Sequence, residues 1–355
     1  NDYLDEPYVK LRFHFYSDYY ITKDGMFIDD FQINAEGGMM TQDMSLPAGW
    51  SGFSSYIEPE SAGIQDVLAS IEDQVLIVQD MENVWWPAQN INTIGDWNPH
   101  SGYKIKLSED VTLQMAGFNE AQKTISLYEG WNLMPVLSSG AVAIEDLFED
   151  VMSDLVIIKD VAGFGVYWPE ENISTLSQLT SGKAYLVKMN SDASVTFSGI
   201  TAETVKPSPT SLREGWDYAP PTGNTHVIAV PASILEGEFL VGDLIGVFNE
   251  DNICTGYFTI ANFDDNMVLT ACGNDSLTSE HDGFNAGEGM SFRMFRASTN
   301  EDFNLIAGFD ATLPNQGTYI NEGLSKLEVL EIDDTGIEEI SRLGSIWPNP
   351  ASEQI

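Results

Sequence analysis

The sequence predicts a mainly β, multi-domain protein, and three observations support this fold class. A stretch of about 80 residues occurs twice in tandem. Residues 8–16 alternate apolar and polar side chains with a period of two, as in a half-buried strand. Between His226 and Leu330, short apolar segments are separated by Gly and Asn-Asp turns, which is typical of a β-sandwich.

The duplicated stretch begins at Leu46 in its first copy and at Leu127 in its second. Each copy contains an apolar helical face, then an apolar strand ending in Asp, then a Trp-Pro loop and a final strand with Tyr. The sequence predicts two compact α+β modules, each with one short helix on a small sheet. The matching landmarks are Gly49-Trp50 and Gly130-Trp131, Ile64 and Ile144, Trp86-Pro87 and Trp168-Pro169, and Ser101-Gly102 and Ser181-Gly182.

The composition excludes some classes of partner. The 355 residues include 55 acidic and 15 basic side chains, so the net charge is -40. Nucleic acids and anionic membranes need a cationic surface, and we therefore expect neither as a partner. No run of 18 apolar residues exists, so we expect no membrane span. The chain starts inside a strand pattern, and we expect it to be a piece of a longer protein.

The first 37 residues resemble a known module. Leu11-Arg12-Phe13, Ser17-Asp18, Asp24-Gly25 and Ile28-Asp29-Asp30 are similar to the closing strands of MAM-like jelly rolls in secreted metallopeptidases of the immune-inhibitor type. The resemblance implies that residues 1–37 are the end of a jelly roll, and that Asp29 and Asp30 bind a structural calcium ion. The alternative is that one carboxylate tethers a loop or faces water.

The C-terminal residues resemble an export signal. Trp347, Pro348, Asn349 and Pro350 are similar to the opening of the C-terminal sorting domain of the type IX secretion system. The resemblance implies a Bacteroidota protein that the type IX machinery exports to the outer-membrane surface or the extracellular space. The predicted segments are then 1–37 (jelly-roll end), 38–124 and 125–203 (repeats), 204–330 (β-sandwich), 331–344 (acidic linker) and 345–355 (sorting domain).

Catalytic motifs are weak in this sequence, and we expect no enzyme in the chain itself. The histidines are His14, His100, His226 and His281, and none of them has the spacing of a zinc site. Neither a Gly-x-Ser-x-Gly elbow nor a phosphate-binding loop occurs. A Ser-His-Asp triad assembled from distant positions stays open.

Candidate binding residues are aromatic or acidic. Trp85, Trp97 and Tyr167 are candidates for a platform on which a sugar ring stacks, with packing in the core as the alternative. Asp275 and Asp282 lie in a loop rich in acidic residues and Gly, which suits calcium, with a solvated turn as the alternative. Calcium is therefore the one cofactor predicted.

The two cysteines are Cys254 and Cys272, on predicted strands joined by the turn at Asp264-Asp265-Asn266. Outside the cytosol two thiols in this arrangement pair when their strands are adjacent, so we predict a disulfide.

The sequence as a whole predicts a non-catalytic accessory, binding and spacer region of a secreted or surface protein. Its expected partners are the type IX machinery and a carbohydrate, a protein ligand or further copies of itself. Two alternatives stay open. In the first, the longer protein to which this chain belongs is a metallopeptidase whose catalytic domain lies upstream. In the second, the modules are a structural subunit of an adhesin or filament.

Overall fold

The computed structural model describes residues 38–198 and 214–333. This part of the chain is mainly β and forms several separate sheets, which confirms the predicted fold class. The segments predicted as a jelly-roll end (1–37) and as the start of a sorting domain (345–355) lie outside the described residues.

The first repeat contains β1 (Met40–Leu46), β2 (Gly49–Phe53), β3 (Ile57–Pro59), α1 (Ile64–Val67), β4 (Val75–Gln79), β5 (Val84–Trp86), β6 (Ile91–Asn92), β7 (Tyr103–Leu107) and β8 (Val111–Asn119). Its main sheet has the order β2-β7-β4-β5-β6, and a second sheet has the order β1-β8-β3. The predicted helix is short and continues as a 3₁₀ segment, Ala69–Gln74. Ile64, Leu68 and Ile71 bury the predicted apolar face.

The second repeat contains β9 (Thr124–Leu127), β10 (Gly130–Pro135), β11 (Val142–Ala143), α2 (Ile144–Leu147), β12 (Leu155–Asp160), β13 (Val166–Trp168), β14 (Ile173–Ser174), β15 (Gln178–Leu179), β16 (Ala184–Met189) and β17 (Ala193–Thr196). A 3₁₀ segment, Glu149–Asp154, follows α2. The main sheet, β10-β16-β12-β13-β14, repeats the strand order of the first. Both sheets have a bulge at the same place, in β4 and in β12. The duplication in the sequence is therefore also a duplication of structure.

The Trp-Pro loops of the two repeats share an unusual backbone conformation. Pro87–Gln89 and Pro169–Glu171 each form one 3₁₀ turn. Asn90 (φ 53°) and Asn172 (φ 50°) follow these turns in the left-handed region. Asn visits this region more readily than most residues with a Cβ atom. The left-handed residue ends each turn and redirects the chain into the next short strand.

The two repeats pack against each other through reciprocal contacts. Gly52 lies so close to Ala184 that a Cβ atom would clash with the Ala184 carbonyl oxygen. Gly102 approaches Leu133 in the same way, and its N–H donates to the Leu133 carbonyl (3.1 Å). Strand register makes Leu133 the counterpart of Gly52, and Ala184 the counterpart of Gly102. Such reciprocity defines a two-fold interface, so an approximate two-fold axis relates the repeats.

The same register corrects one landmark of the sequence alignment. Tyr103 and Tyr185 are equivalent, because each hydroxyl accepts a hydrogen bond (2.9 Å) from the backbone N–H five residues earlier. Gly102 therefore corresponds to Ala184, and not to Gly182 as the shared Ser-Gly pair suggested. The Ser-Gly dipeptides of the two repeats are therefore two residues out of structural register, and only the strand pairing shows this difference.

The third unit contains β18 (Asp217–Tyr218), β19 (Thr225–Val230), β20 (Leu244–Phe248), β21 (Ile253–Thr259), β22 (Met267–Cys272), β23 (Ser291–Arg296), β24 (Glu301–Phe309) and β25 (Leu324–Ile332). A 3₁₀ segment, Ala232–Ile234, follows β19. The eight strands form one sheet with the order β18-β21-β20-β23-β24-β25-β19-β22. The sheet curls until β21 meets β22, where Gly256 lies against the backbone of Thr270. Ile245, Leu269 and Leu327 lie in the core that this curl encloses.

Strand β25 ends at Ile332. It therefore includes the first two residues of the segment predicted as an acidic linker. Within residues 38–198 and 214–333, no helix is long and apolar enough to cross a membrane.

The left-handed asparagines give a test of the equivalence of the repeats. Asn90→Ala and Asn172→Ala should each lower the free energy of unfolding by about 1 kcal/mol relative to the matching Gly variant, since a Cβ atom is disfavoured there. Both side chains are exposed, so the substitutions remove no packing. Urea unfolding of the four single variants measures the effect. An Ala variant as stable as its Gly control would contradict the left-handed conformation at that position.

Candidate functional site

The outer faces of the two repeat sheets form a platform beneath the third unit. The two-fold relation gives each residue of one face a counterpart on the other. The third unit covers the second half of this platform closely and the first half loosely. The pairs are Trp50 and Trp131, Ile77 and Ile157, Gln79 and Lys159, and Trp86 and Trp168.

On the second repeat, the third unit covers the platform with an apolar interface. One buried cluster includes side chains of both units: Ile157, Val166, Trp168 and Ile173 from the repeat, and Val227, Ala229, Val268 and Leu324 from the third unit. An ion pair between Lys326 and Glu171 (2.8 Å) spans the same junction. Burial of apolar side chains in a shared cluster is expected to hold the two units together.

On the first repeat, the same face lines a cavity of about 350 Å³. Trp50, Ile77 and Trp86 contribute the sheet side of the cavity, and residues 222–224 and 274–277 contribute the side of the third unit. Small-molecule sites typically occupy roughly 300–1,000 Å³. This cavity is therefore the candidate functional site.

Asp275 fixes one wall of the cavity. Its Oδ2 atom accepts hydrogen bonds from Lys106 Nζ (2.6 Å) and from Trp50 Nε1 (2.7 Å), and its Oδ1 atom accepts one from the Leu277 N–H (3.0 Å). Burial acts to raise the pKa of Asp275, but these hydrogen bonds outweigh it and the pKa lies below its ordinary value. The carboxylate is therefore ionised at neutral pH and anchors the third unit to the first repeat.

Glu322 joins all three units at the edge of the cavity. Its Oε1 atom pairs with Lys104 of the first repeat (3.3 Å), and its Oε2 atom pairs with Lys159 of the second. Lys104 also donates to the Gly223 carbonyl (2.7 Å), and Lys159 donates to Thr225. One carboxylate of the third unit thus bridges two lysines from different repeats.

Two features of this arrangement are unfavourable to the folded state. Lys159 is fully buried, and burial lowers the pKa of its ammonium group, although Glu322 acts in the opposite direction. Glu322 itself has a left-handed backbone (φ 56°), which costs roughly 1–2 kcal/mol for a residue with a Cβ atom. The charge pairs and the Trp131 ring, 5.2 Å from Lys159 Nζ, offset these costs.

The predicted calcium ligands Asp275 and Asp282 both accept hydrogen bonds from groups of the protein. Asp275 is committed to Lys106 and Trp50, while Asp282 accepts hydrogen bonds from the Asp275 N–H (3.0 Å) and the Thr278 hydroxyl (2.9 Å). Across the described ranges, no group of three or more His, Cys, Asp or Glu side chains converges as metal ligands do. The loop is instead a turn whose carboxylates satisfy its own N–H and O–H groups. Asp29 and Asp30 lie outside the described residues.

The aromatic residues predicted as a stacking platform, Trp85, Trp97 and Tyr167, lie in the core, as the alternative interpretation expected. All three side chains are buried in the cores of the repeats, and Trp85 is 1% exposed. Trp97 stacks on Tyr103, with ring centroids 4.7 Å apart. Successive side chains in a strand point to opposite faces, so Trp85 enters the core and its neighbour Trp86 lies on the outer face.

The predicted disulfide is absent, because Cys254 and Cys272 are free, buried thiols. Their strands are not hydrogen-bonded neighbours: Cys254 lies opposite Phe248 of β20, and Cys272 lies opposite Thr225 of β19. Burial raises the pKa of Cys254 to about 12 and that of Cys272 to about 11. Neither thiol therefore forms a reactive thiolate at neutral pH.

A buried Ser-His pair occurs in the third unit. His226 Nε2 lies 2.7 Å from Ser325 Oγ, and His226 Nδ1 accepts a hydrogen bond from the Ile320 N–H (3.1 Å). This acceptor role puts the ring proton on Nε2, so His226 donates to Ser325, which in turn donates to the Gln316 carbonyl (3.1 Å). A general base needs the opposite tautomer. The geometry therefore suits a structural link between strands.

Trp50, Trp86 and Glu322 were not predicted as site residues from the sequence, and Asp275 was predicted as a calcium ligand and not as an anchor between units. Trp85 and Trp86 are adjacent, so one of them must face outward, and the pairing of Trp85 with Val78, whose side chain lies in the core, decides which one does. The predicted sorting residues Trp347, Pro348, Asn349 and Pro350 lie outside the described residues.

Comparison with known protein families, with curated proteins and with solved structures found no match. The described residues form a two-fold pair of small repeats, bridged by a β-sandwich unit, with a cavity at the junction.

The buried imidazole gives a pH test. Burial, followed by the nearby Lys159 charge, lowers the pKa of His226 to about 3. The unfolded chain, with an ordinary His pKa near 6.5, binds a proton first as the pH falls. The stability due to neutral His226 is thus full above pH 6.5 and declines towards pH 3.

Between pH 7 and pH 5, we expect His226 to lower the free energy of unfolding by about 2 kcal/mol. His226→Gln keeps a neutral donor and acceptor and should remove that part of the loss. Urea unfolding of both proteins at the two pH values measures it. An equal loss in the variant and the unsubstituted protein would refute the assignment, while His100→Gln, at a half-buried histidine of the first repeat, serves as the control.

Proposed function

We propose that this chain is a non-catalytic accessory region of a secreted or cell-surface protein. In this proposal the two repeats and the third unit act as one rigid spacer that carries a ligand-binding cavity. The observation that carries the proposal is the bridge from Glu322 to Lys104 and Lys159, because it ties both repeats to the third unit through a single side chain.

The shared apolar cluster supports the same proposal. Flexible domain junctions are usually polar, whereas this junction buries Trp168, Ile157 and Leu324 together. A spacer that carries a site at a fixed distance from an anchor needs such a junction. Export by the type IX machinery is supported by the resemblance of Trp347-Pro348-Asn349-Pro350 to the start of a sorting domain.

The bridge can be broken by one charge change. Lys159→Glu would place a second carboxylate beside Glu322, and loss of one partner of a buried pair typically costs about 3–5 kcal/mol. We expect the radius of gyration in X-ray scattering to rise as the third unit separates from the second repeat. Far-UV circular dichroism should show that strand content is retained.

Ser194→Glu is the control, because it adds a carboxylate at an exposed side chain of the same repeat, on β17. It should leave the scattering curve and the unfolding midpoint unchanged. The proposal of a rigid spacer fails if the unsubstituted protein already scatters as independently moving units. It fails equally if Lys159→Glu remains as compact and as stable as the control.

A further inference from the structure

We propose that the cavity between the first repeat and the third unit binds a neutral sugar ring. This inference rests on the proposed function, because the cavity exists only while the third unit is docked on the first repeat. Three features of the cavity support a sugar as its ligand: the aromatic floor, the neutral polar wall and the balanced charges.

The floor offers two indole rings. Trp50 is held in place by its hydrogen bond to Asp275 and by Gly223, where a Cβ atom would lie 3.2 Å from the ring. Trp86 is half-buried and lines the same cavity beside Ile77. A pyranose presents a flat face of C–H groups, which packs on an aromatic ring, while its hydroxyls point to the sides.

The wall offers neutral hydrogen-bonding groups. Gln79, Asn224, Asn274 and Ser276 all line the cavity. Amide and hydroxyl side chains both donate and accept hydrogen bonds, which is what a ring of hydroxyls requires. The Asn274 Oδ1 atom already accepts the Asp282 N–H (3.0 Å), but a purely apolar ligand would desolvate Gln79, Asn224 and Ser276 without offering them a partner, at a cost in affinity.

The charges of the cavity are already paired. Lys104 is satisfied by Glu322 and the Gly223 carbonyl, and Asp275 is satisfied by Lys106 and Trp50. An anionic ligand would have to displace one of these partners and would also meet a chain of net charge -40. The cavity therefore favours a neutral ligand over a phosphate or a carboxylate.

The second repeat provides an internal comparison. Its Trp168 and Ile157 are the counterparts of Trp86 and Ile77, but side chains of the third unit fill the space above them. The two sheets supply similar floors, and the loops of the third unit decide which one stays open. Residues 222–224 and 274–277 are therefore the part of the structure that creates the site.

Saturation-transfer NMR on the full chain tests the proposal. The probes are the methyl pyranosides of glucose, galactose, mannose and N-acetylglucosamine, together with cellobiose. We expect transfer to the ring protons of at least one sugar. Trp86→Ala, which removes a stacking ring, should weaken binding of that sugar roughly tenfold.

Ser276→Trp is a second variant that fills the cavity from an exposed position, so its loss of binding does not depend on a core substitution. Tyr128→Ala removes an exposed aromatic ring outside the cavity and should bind as the unsubstituted protein does. Absence of transfer to every probe would overturn the sugar site, as would unchanged binding by Ser276→Trp.

X-ray scattering of the same samples separates the two proposals. A compact particle without sugar binding would refute this inference alone. An extended particle would refute the rigid spacer, on which the cavity depends.

Discussion

The structure depends on one carboxylate that serves two lysines. Glu322 accepts Lys104 from one repeat and Lys159 from the other, in a left-handed backbone conformation that few non-glycine residues adopt. Lys159 is desolvated and needs a counter-charge, since an unpaired buried ammonium group is strongly unfavourable. The third unit is therefore held at one position on the platform, and the repeats are held relative to each other by the same group.

Two-fold symmetry and its breaking explain the cavity. The repeats meet through Gly52 and Gly102, whose missing side chains allow the backbones to approach, and the outer faces of their sheets are equivalent. A single third unit cannot contact both faces alike. It packs apolar strands on the second repeat and polar loops on the first, and the looser contact leaves about 350 Å³ between Trp50, Trp86 and the loops.

The distribution of charge follows from the same arrangement. Lysines are scarce in this acidic chain, yet Lys104, Lys106, Lys159 and Lys326 all pair with carboxylates across unit boundaries. Repulsion among the many remaining carboxylates opposes compaction, so ion pairs at the junctions act where the units would otherwise separate. These four lysines thus hold the units together, and the cavity retains no unpaired charge from Lys104 or Asp275.

Local pattern in the sequence determined the fold class, the duplication and the apolar helix faces around Ile64 and Ile144, because period and composition depend on near neighbours. Tertiary structure alone decided the site. Trp85 and Trp86 are adjacent, and the pairing of Trp85 with the buried Val78 sets which one faces outward. The loop composition around Asp275 predicted a calcium ligand, whereas the partners of its carboxylate in the structure are Lys106 and Trp50, more than 160 residues away in sequence. Such contacts depend on how whole sheets pack, and no spacing within the chain encodes them.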